Sequence, residues 1–103
     1  MKKQQGDVII RNVEKIPEDA VRVKKTLKGI VLAEGEATGH AHTIVDDGAE
    51  LYEKDGILYI KIEKPVLVKH EEHKPITLSE GIYRVGFVRE YDPFEEEAKR
   101  IVD

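Results

Sequence analysis

Cysteine and tryptophan are both absent from the 103-residue chain. Without cysteine the chain forms no disulfide bridge and offers no thiolate, so any metal ion must be bound through nitrogen and oxygen atoms. No apolar run approaches the roughly 18 residues of a membrane-spanning helix, and residues 1–7 lack the apolar stretch of a signal peptide. We therefore expect a cytoplasmic protein that has no membrane partner.

Amides and methionine are scarce as well. Gln4, Gln5 and Asn12 are the only amides and Met1 is the only methionine, whereas 37% of the residues are charged. Such a composition resembles that of proteins from thermophiles. The formal net charge of −4 argues against duplex DNA as a partner, because domains that bind duplex DNA usually carry a basic excess.

The length and an apolar content of 40% indicate one folded domain over residues 1–103. Short apolar or alternating segments between turn residues predict strands within residues 8–88. These segments are Val8–Val13, Val21–Val23, Ile30–Ala33, His40–Val45, Leu51–Glu53, Ile57–Ile62, Val66–Val68, Ile76–Leu78 and Ile82–Val88. Asp55-Gly56 between two of them predicts a tight hairpin. The pattern indicates an all-β fold, a small barrel or sandwich of short antiparallel strands.

The C-terminal residues follow a different pattern. Asp92 suits a helix N-cap, Pro93 suits the first helical position, and Glu95 completes a capping box. We therefore expect one C-terminal α-helix, over about residues 93–102, that packs on the strands.

All four histidines fall into two pairs, His40 with His42 and His70 with His73. On a strand, residues two apart point to the same side, so His40 and His42 are expected to face one region. Residues three apart share a side only in a turn or a bend, which Pro75 and two glutamates favour for the second pair. The spacing predicts that both pairs converge on one site.

A metal centre is the first function that this pattern indicates, because imidazole is the commonest protein ligand for metals. His40, His42, His70 and His73 would hold a divalent transition ion, most simply zinc. Carboxylates that could complete the set are Glu36, Glu50, Glu71 and Glu72. Three ligands would leave room for a water that attacks an ester or phosphodiester, and four would close the site.

Two other functions stay open. The same four histidines could act without metal as acid and base in a ribonuclease or phosphodiesterase. The cations that could then hold the phosphate of an RNA or small-molecule substrate are Lys69, Lys74, Arg84 and Arg89. Alternatively, the histidines are structural, and the chain is a non-enzymatic interaction module of a phage or its host. Assembly into an oligomer is compatible with each function.

One group of residues resembles part of a known family. A glycine, a His-x-His pair, a glutamate and a further glycine follow one another as Gly35, His40, His42, Glu50 and Gly56. This order resembles the first motif of the cupins, which are small metal-binding β-barrels. The second cupin motif places a histidine after a turn, whereas here His70 or His73 would have to supply it from before the turn at residues 79–81. The resemblance implies a barrel and a metal held by histidine.

A second resemblance extends over most of the chain. Its segments are Gln5–Asp7, Gly35–His42, His70–Ile76 and Arg89–Pro93. Together they resemble an uncharacterised family of short β proteins from bacteria and phages. The resemblance implies that the two histidine segments belong to one pattern, and it implies no particular activity.

Overall fold

The structure is a computed structural model that describes residues 2–35 and 39–88. Every regular element in these ranges is a β-strand. The strands are β1 (Lys2–Gln5), β2 (Val8–Asn12), β3 (Val21–Val23), β4 (Ile30–Glu34), β5 (Ala41–Ile44), β6 (Ala49–Lys54), β7 (Ile57–Ile62), β8 (Val66–Val68), β9 (Ile76–Leu78) and β10 (Gly81–Phe87). The prediction of an all-β fold is confirmed for the described part of the chain.

Six of the strands form one antiparallel sheet in the order β1-β2-β10-β7-β6-β3. β4 pairs with β5, and β8 pairs with β9, in two smaller antiparallel sheets. The predicted barrel is wrong, because β1 and β3 are the two ends of the large sheet and are not neighbours in it. The sheet stays open, and its inward face is covered by the smaller sheets instead of by closure upon itself.

One apolar core joins the large sheet to the smaller ones. It contains Val8, Ile10, Tyr83 and Val85 from β2 and β10, Ala49, Leu51, Ile60 and Ile62 from β6 and β7, and Ile30, Leu32, Ile44, Val66, Val68 and Leu78 from the smaller sheets. Alternation along each strand selects these residues, as on β7, where Ile60 and Ile62 are buried while Lys61 is exposed. The large sheet therefore has an inward apolar face and an outward face.

The hairpin between β6 and β7 has the predicted turn. Asp55 and Gly56 adopt φ values of 52° and 80°, and both central residues of a type I′ turn require positive φ. Lys54 and Ile57 pair directly across this turn. The Asp-Gly signal thus located the hairpin from local sequence alone.

β1 is an element that the sequence did not predict. Its residues are all polar, and it becomes a strand because the turn at Gly6 and Asp7 folds it back on β2, with Gln5 opposite Val8. Pairing places the side chain of Gln5 on the inward face, where it is 2% exposed.

The predicted C-terminal helix at residues 93–102 lies outside the described residues. Within the ranges that are described, no helix is long and apolar enough to cross a membrane.

Candidate functional site

The two histidine segments meet through a backbone bridge between β5 and the end of β8. Thr43 and Lys69 exchange two hydrogen bonds, with N···O distances of 2.9 and 2.8 Å. The bridge is antiparallel, so residues that precede Thr43 lie beside residues that follow Lys69. His42 is thereby placed beside His70, and His40 beside Glu72. The pairing of β5 with the end of β8 therefore brings the two histidine pairs together.

All four imidazole rings line one cleft of about 450 Å³. The ring centroids of His42 and His70 are 4.3 Å apart, and those of His70 and His73 are 4.7 Å apart. His42 lies 6.2 Å from His73, and His40 lies 5.5 Å from His70. The predicted convergence of both pairs within a few ångströms is thus what the fold produces.

Gln5 fixes the orientation and the tautomer of His42. The Gln5 amide nitrogen donates to the carbonyl oxygens of Val68 and Lys74, at 2.9 Å each. The amide oxygen must therefore face His42, whose Nδ1 lies 2.8 Å away and donates to it. Neutral His42 then carries its proton on Nδ1 and its lone pair on Nε2. A ring held in this way has the second hydrogen bond that metal-binding histidines usually make.

Burial keeps His42 neutral. The residue is 9% exposed, and its burial lowers the pKa of the imidazole, with further lowering from the neighbouring His70 and His73. Neutral imidazole is the form that binds a metal or accepts a proton. His42 is therefore a nitrogen donor near neutral pH.

A β-bulge lies opposite His42. Val31 pairs with Thr43, but the next residue opposite β5 is Ala33, which pairs with His42, so Leu32 is an extra residue in β4. Leu32 is 3% exposed and packs in the core. Bulges re-aim side chains next to functional sites, and this one sets the small side chain of Ala33 against the cleft.

The turn that carries His70 and His73 is held by its two glutamates. The carboxylate of Glu71 accepts a hydrogen bond from the backbone N–H of Ala41 at 2.8 Å, and this bond lowers the pKa of Glu71. A carboxylate oxygen of Glu72 lies 3.4 Å from Nδ1 of His40. The backbone N–H of Glu72 donates to Nδ1 of His70 at 3.0 Å. Neutral His70 consequently carries its proton on Nε2, unlike His42.

Gly6 forms the wall of the cleft beside His73. Its φ of +58° suits glycine, and a Cβ atom there would lie 2.6 Å from Nε2 of His73. Glycine therefore meets two requirements at once, the left-handed backbone of the turn and the space for the ring.

The side chains as they stand do not form a finished metal site. Within residues 2–35 and 39–88, no three His, Asp or Glu side chains are arranged so that they could hold one ion. Tetrahedral zinc with nitrogen at about 2.0–2.1 Å sets ring centroids roughly 5 Å apart, inside the spacings found here. The rings are thus at suitable separations, and their nitrogen atoms would have to turn toward a common centre.

Lys69 and Arg84 lie away from the walls of the histidine cleft. Lys69 and Lys28 line an adjoining cleft of about 370 Å³, to which His70 also contributes. Arg84 is paired with Arg11 on the outward face of the large sheet. Lys69 is therefore near the histidines, and Arg84 is separated from them by the sheet.

Other predicted residues are divided between several regions. Lys74 is exposed, and its contribution to the site is its backbone carbonyl oxygen, which accepts a hydrogen bond from the side chain of Gln5. Glu50 forms an ion pair of 3.1 Å with Arg22 on the outward face, away from the cleft. Glu36 and Arg89 lie outside the described residues.

Sequence reasoning missed Gln5 and Gly6 as site residues. Both belong to the Gln5–Asp7 segment that the family resemblance singled out. No periodic pattern marked Gln5 as buried, because β1 has no apolar residue of its own. The signal that could have found it is a polar strand folded back by a glycine turn onto an apolar strand.

Comparison with known proteins identifies a family and no function. Residues 4–87 match the family described as Domain of unknown function (DUF8820), and the chain belongs to that family. The matched range contains all four histidines, Gln5 and Gly6. No curated protein and no solved structure gives a significant match to the chain.

Proposed function

We propose that this protein binds a divalent transition-metal ion, most simply zinc, in the cleft formed by His40, His42, His70 and His73. The observation that carries the proposal is the convergence of all four imidazoles on one cleft, with centroid separations of 4.3–6.2 Å in the measured pairs. Four imidazoles close together repel one another once protonated, whereas a shared cation makes the neutral rings favourable.

His42 is the first ligand in this proposal. Its Nδ1–H is committed to Gln5, so the Nε2 lone pair is the one available for a metal ion. His70 would first have to give up the hydrogen bond from the Glu72 N–H or move its proton to Nδ1. Metal binding is therefore coupled to a rearrangement of the turn at residues 70–73, in which residues 71–73 are exposed.

Hydrolysis is the activity that such a centre would support. Three of the imidazoles would hold the ion and leave a position open for water, and the ion would supply the acidity that lets this water attack an ester or phosphodiester. The cleft of about 450 Å³ is large enough for a small substrate. Glu72, which lines the cleft near His40, is the carboxylate placed to accept a proton.

The test is zinc binding by untagged protein, since an affinity tag of histidines would itself bind metal. Titration calorimetry should give one zinc ion per chain, and zinc should raise the melting temperature, because the ion binds the folded state. His42→Ala and His73→Ala should each remove most of that increase. An unchanged melting temperature in zinc, with no heat of binding, would contradict the proposal.

Gly6→Ala provides a cleft variant with a matched control. Gly6 and Gly56 both have positive φ, so alanine at either position should destabilise the fold by about 1–2 kcal/mol. Only at Gly6 does the new methyl group meet a ring, that of His73, while nothing lies within 4 Å at Gly56. Zinc affinity should fall in Gly6→Ala and stay unchanged in Gly56→Ala.

Metal-independent acid–base chemistry is the second candidate, and one observation favours it. His42 presents a lone pair on Nε2, the form that a base needs, and the adjacent His70 would supply the acid once its ring is protonated on both nitrogens. Lys69 in the adjoining cleft could hold a phosphate of an RNA. RNA cleavage that persists in chelator and is lost in His70→Ala would favour this candidate over the metal centre.

A further inference from the structure

A row of cations and tyrosines crosses the outward face of the large sheet, on the side away from the histidine cleft. Cross-strand partners continue from one strand to the next through all six strands. In sheet order the row is Lys2, Arg11, Arg84, Tyr59, Tyr52 and Arg22. With strands about 4.8 Å apart, the row is roughly 24 Å long.

The outward face is basic although the chain is acidic. Besides the row, the outward positions of the six strands hold Lys54, Lys61 and one carboxylate, Glu50. Of these six cations, Arg22 is paired with Glu50 and Lys54 with Asp19 of a neighbouring loop. Lys2, Arg11, Arg84 and Lys61 supply the remaining positive charge, in a chain whose formal net charge is −4. The net charge of the whole chain does not reveal this face, because it sums the charges of every region.

The pairing of Arg11 with Arg84 within the row lowers the stability of the fold. They are direct cross-strand partners, and like charges in that relation destabilise a sheet. Among the described residues, no carboxylate lies within 4 Å of either guanidinium. Lysine on an edge strand discourages aggregation, but β2 and β10 are interior strands. The two arginines, together with Ile9 and Phe87, line a shallow cavity of about 80 Å³, and an anion in it would offset their repulsion.

The tyrosines supply flat surfaces beside these cations. Tyr52 and Tyr59 are cross-strand partners on β6 and β7, and both are partly exposed. The guanidinium of Arg22 lies 5.8 Å from the ring centroid of Tyr52. Cations interleaved with aromatic rings on an open sheet can bind phosphates and stack unpaired bases at the same time.

We propose that the outward face binds single-stranded nucleic acid, with its phosphates on Arg11 and Arg84 and its bases on Tyr52 and Tyr59. A single strand fits better than a duplex, because stacking on tyrosine requires bases that are unpaired. The face is independent of the histidine cleft, so this proposal does not rest on metal binding.

The test is fluorescence anisotropy with a labelled oligouridine of about 12 nucleotides, long enough to cross the row. The full chain is titrated at low salt with a chelator present, so that metal in the histidine cleft plays no part. Binding should weaken with added salt, with a slope of log K against log salt near about −3 if four cations meet phosphates. A hairpin duplex of equal length should bind at least about tenfold more weakly, since its bases cannot stack on the tyrosines.

Substitutions at Tyr59 and Arg84, each with a control, separate a binding role from a structural one. Tyr59→Leu should lower the affinity about tenfold, while Tyr59→Phe, which keeps the flat ring, should restore it. Arg84→Gln should lower both the affinity and the salt slope, the latter by about 0.7, and yet raise the melting temperature by relieving the repulsion with Arg11. Lys64→Gln, which removes the same charge from the exposed connection between β7 and β8, should leave binding within about twofold.

Three results would each overturn the proposal. The first is no binding of oligouridine at low salt, and the second is equal affinity for the duplex. The third is an equal loss of affinity in Lys64→Gln and Arg84→Gln, which would indicate a general attraction between charges. An anionic protein or another segment of this chain as the true occupant would appear as the first result.

Discussion

Replacing Gln5 by leucine should destabilise this protein far more than the same change at the preceding residue. Gln5 makes three hydrogen bonds, two as a donor and one as the acceptor from His42; the bonds to Val68 and His42 are buried and the bond to Lys74 is partly buried. A typical hydrogen bond contributes about 1 kcal/mol, so their loss costs about 3 kcal/mol, and more if the Nδ1–H of His42 stays unpaired. In a domain of this size, that corresponds to a fall in melting temperature of about 15 °C.

Gln4→Leu is the matched control, because Gln4 makes one exposed hydrogen bond, to the carbonyl oxygen of Gly6 at 3.0 Å. Its loss should change stability by about 0.5 kcal/mol or less. Urea denaturation of both variants in chelator measures the difference. In zinc, Gln5→Leu should also bind the ion about 10–100-fold more weakly, since nothing holds the tautomer of His42. If the two variants melt alike, Gln5 does not hold the site.

Three further predictions concern the histidine cleft. Burial holds the pKa of His42 below its ordinary 6.5, so on acidification the unfolded chain takes up a proton before the folded chain does. The stability of the metal-free protein should therefore fall as the pH drops below about 6.5. His42→Gln should flatten this part of the curve of melting temperature against pH. The hydrogen bond from Ala41 lowers the pKa of Glu71, so the ionised carboxylate adds stability that is lost only as the pH falls near and below 4.5. Glu71→Gln should therefore flatten the acid end of the curve of melting temperature against pH and leave the region near pH 6 unchanged. Zinc should speed hydrogen exchange at the Glu72 amide if His70 becomes a ligand, and leave it unchanged if His70 does not.

Local patterns were sufficient for most of the strands. An apolar run identified β7, and the Asp55-Gly56 turn fixed the register between β6 and β7, because a two-residue turn leaves few choices of pairing. β1 was missed for the opposite reason: its residues are polar, and its strand exists only through pairing with β2. The barrel prediction failed because strand number and spacing do not determine whether the end strands meet.

The candidate site, like the fold, was predicted only in part from local sequence. Pairing of the four histidines along the chain indicated that they act together, and the fold does gather them. The anion-binding prediction for Arg84 illustrates what sequence proximity cannot provide, since one residue's shift along β10 moves a side chain to the other face of the sheet. Arg84 therefore lies beside Arg11 in the basic row on the outward face, and not at the histidine cleft.

The sequence by itself determined the all-β class, the turn positions and the set of nitrogen donors, because these depend on neighbours a few residues apart. Only the tertiary structure decided that the large sheet is open, that Gln5 orients His42 across 37 positions of the chain, and that an acidic chain presents a basic face. Each of these depends on which strands become neighbours. Strand order is set by the burial of the whole core at once, a long-range property that no short segment encodes.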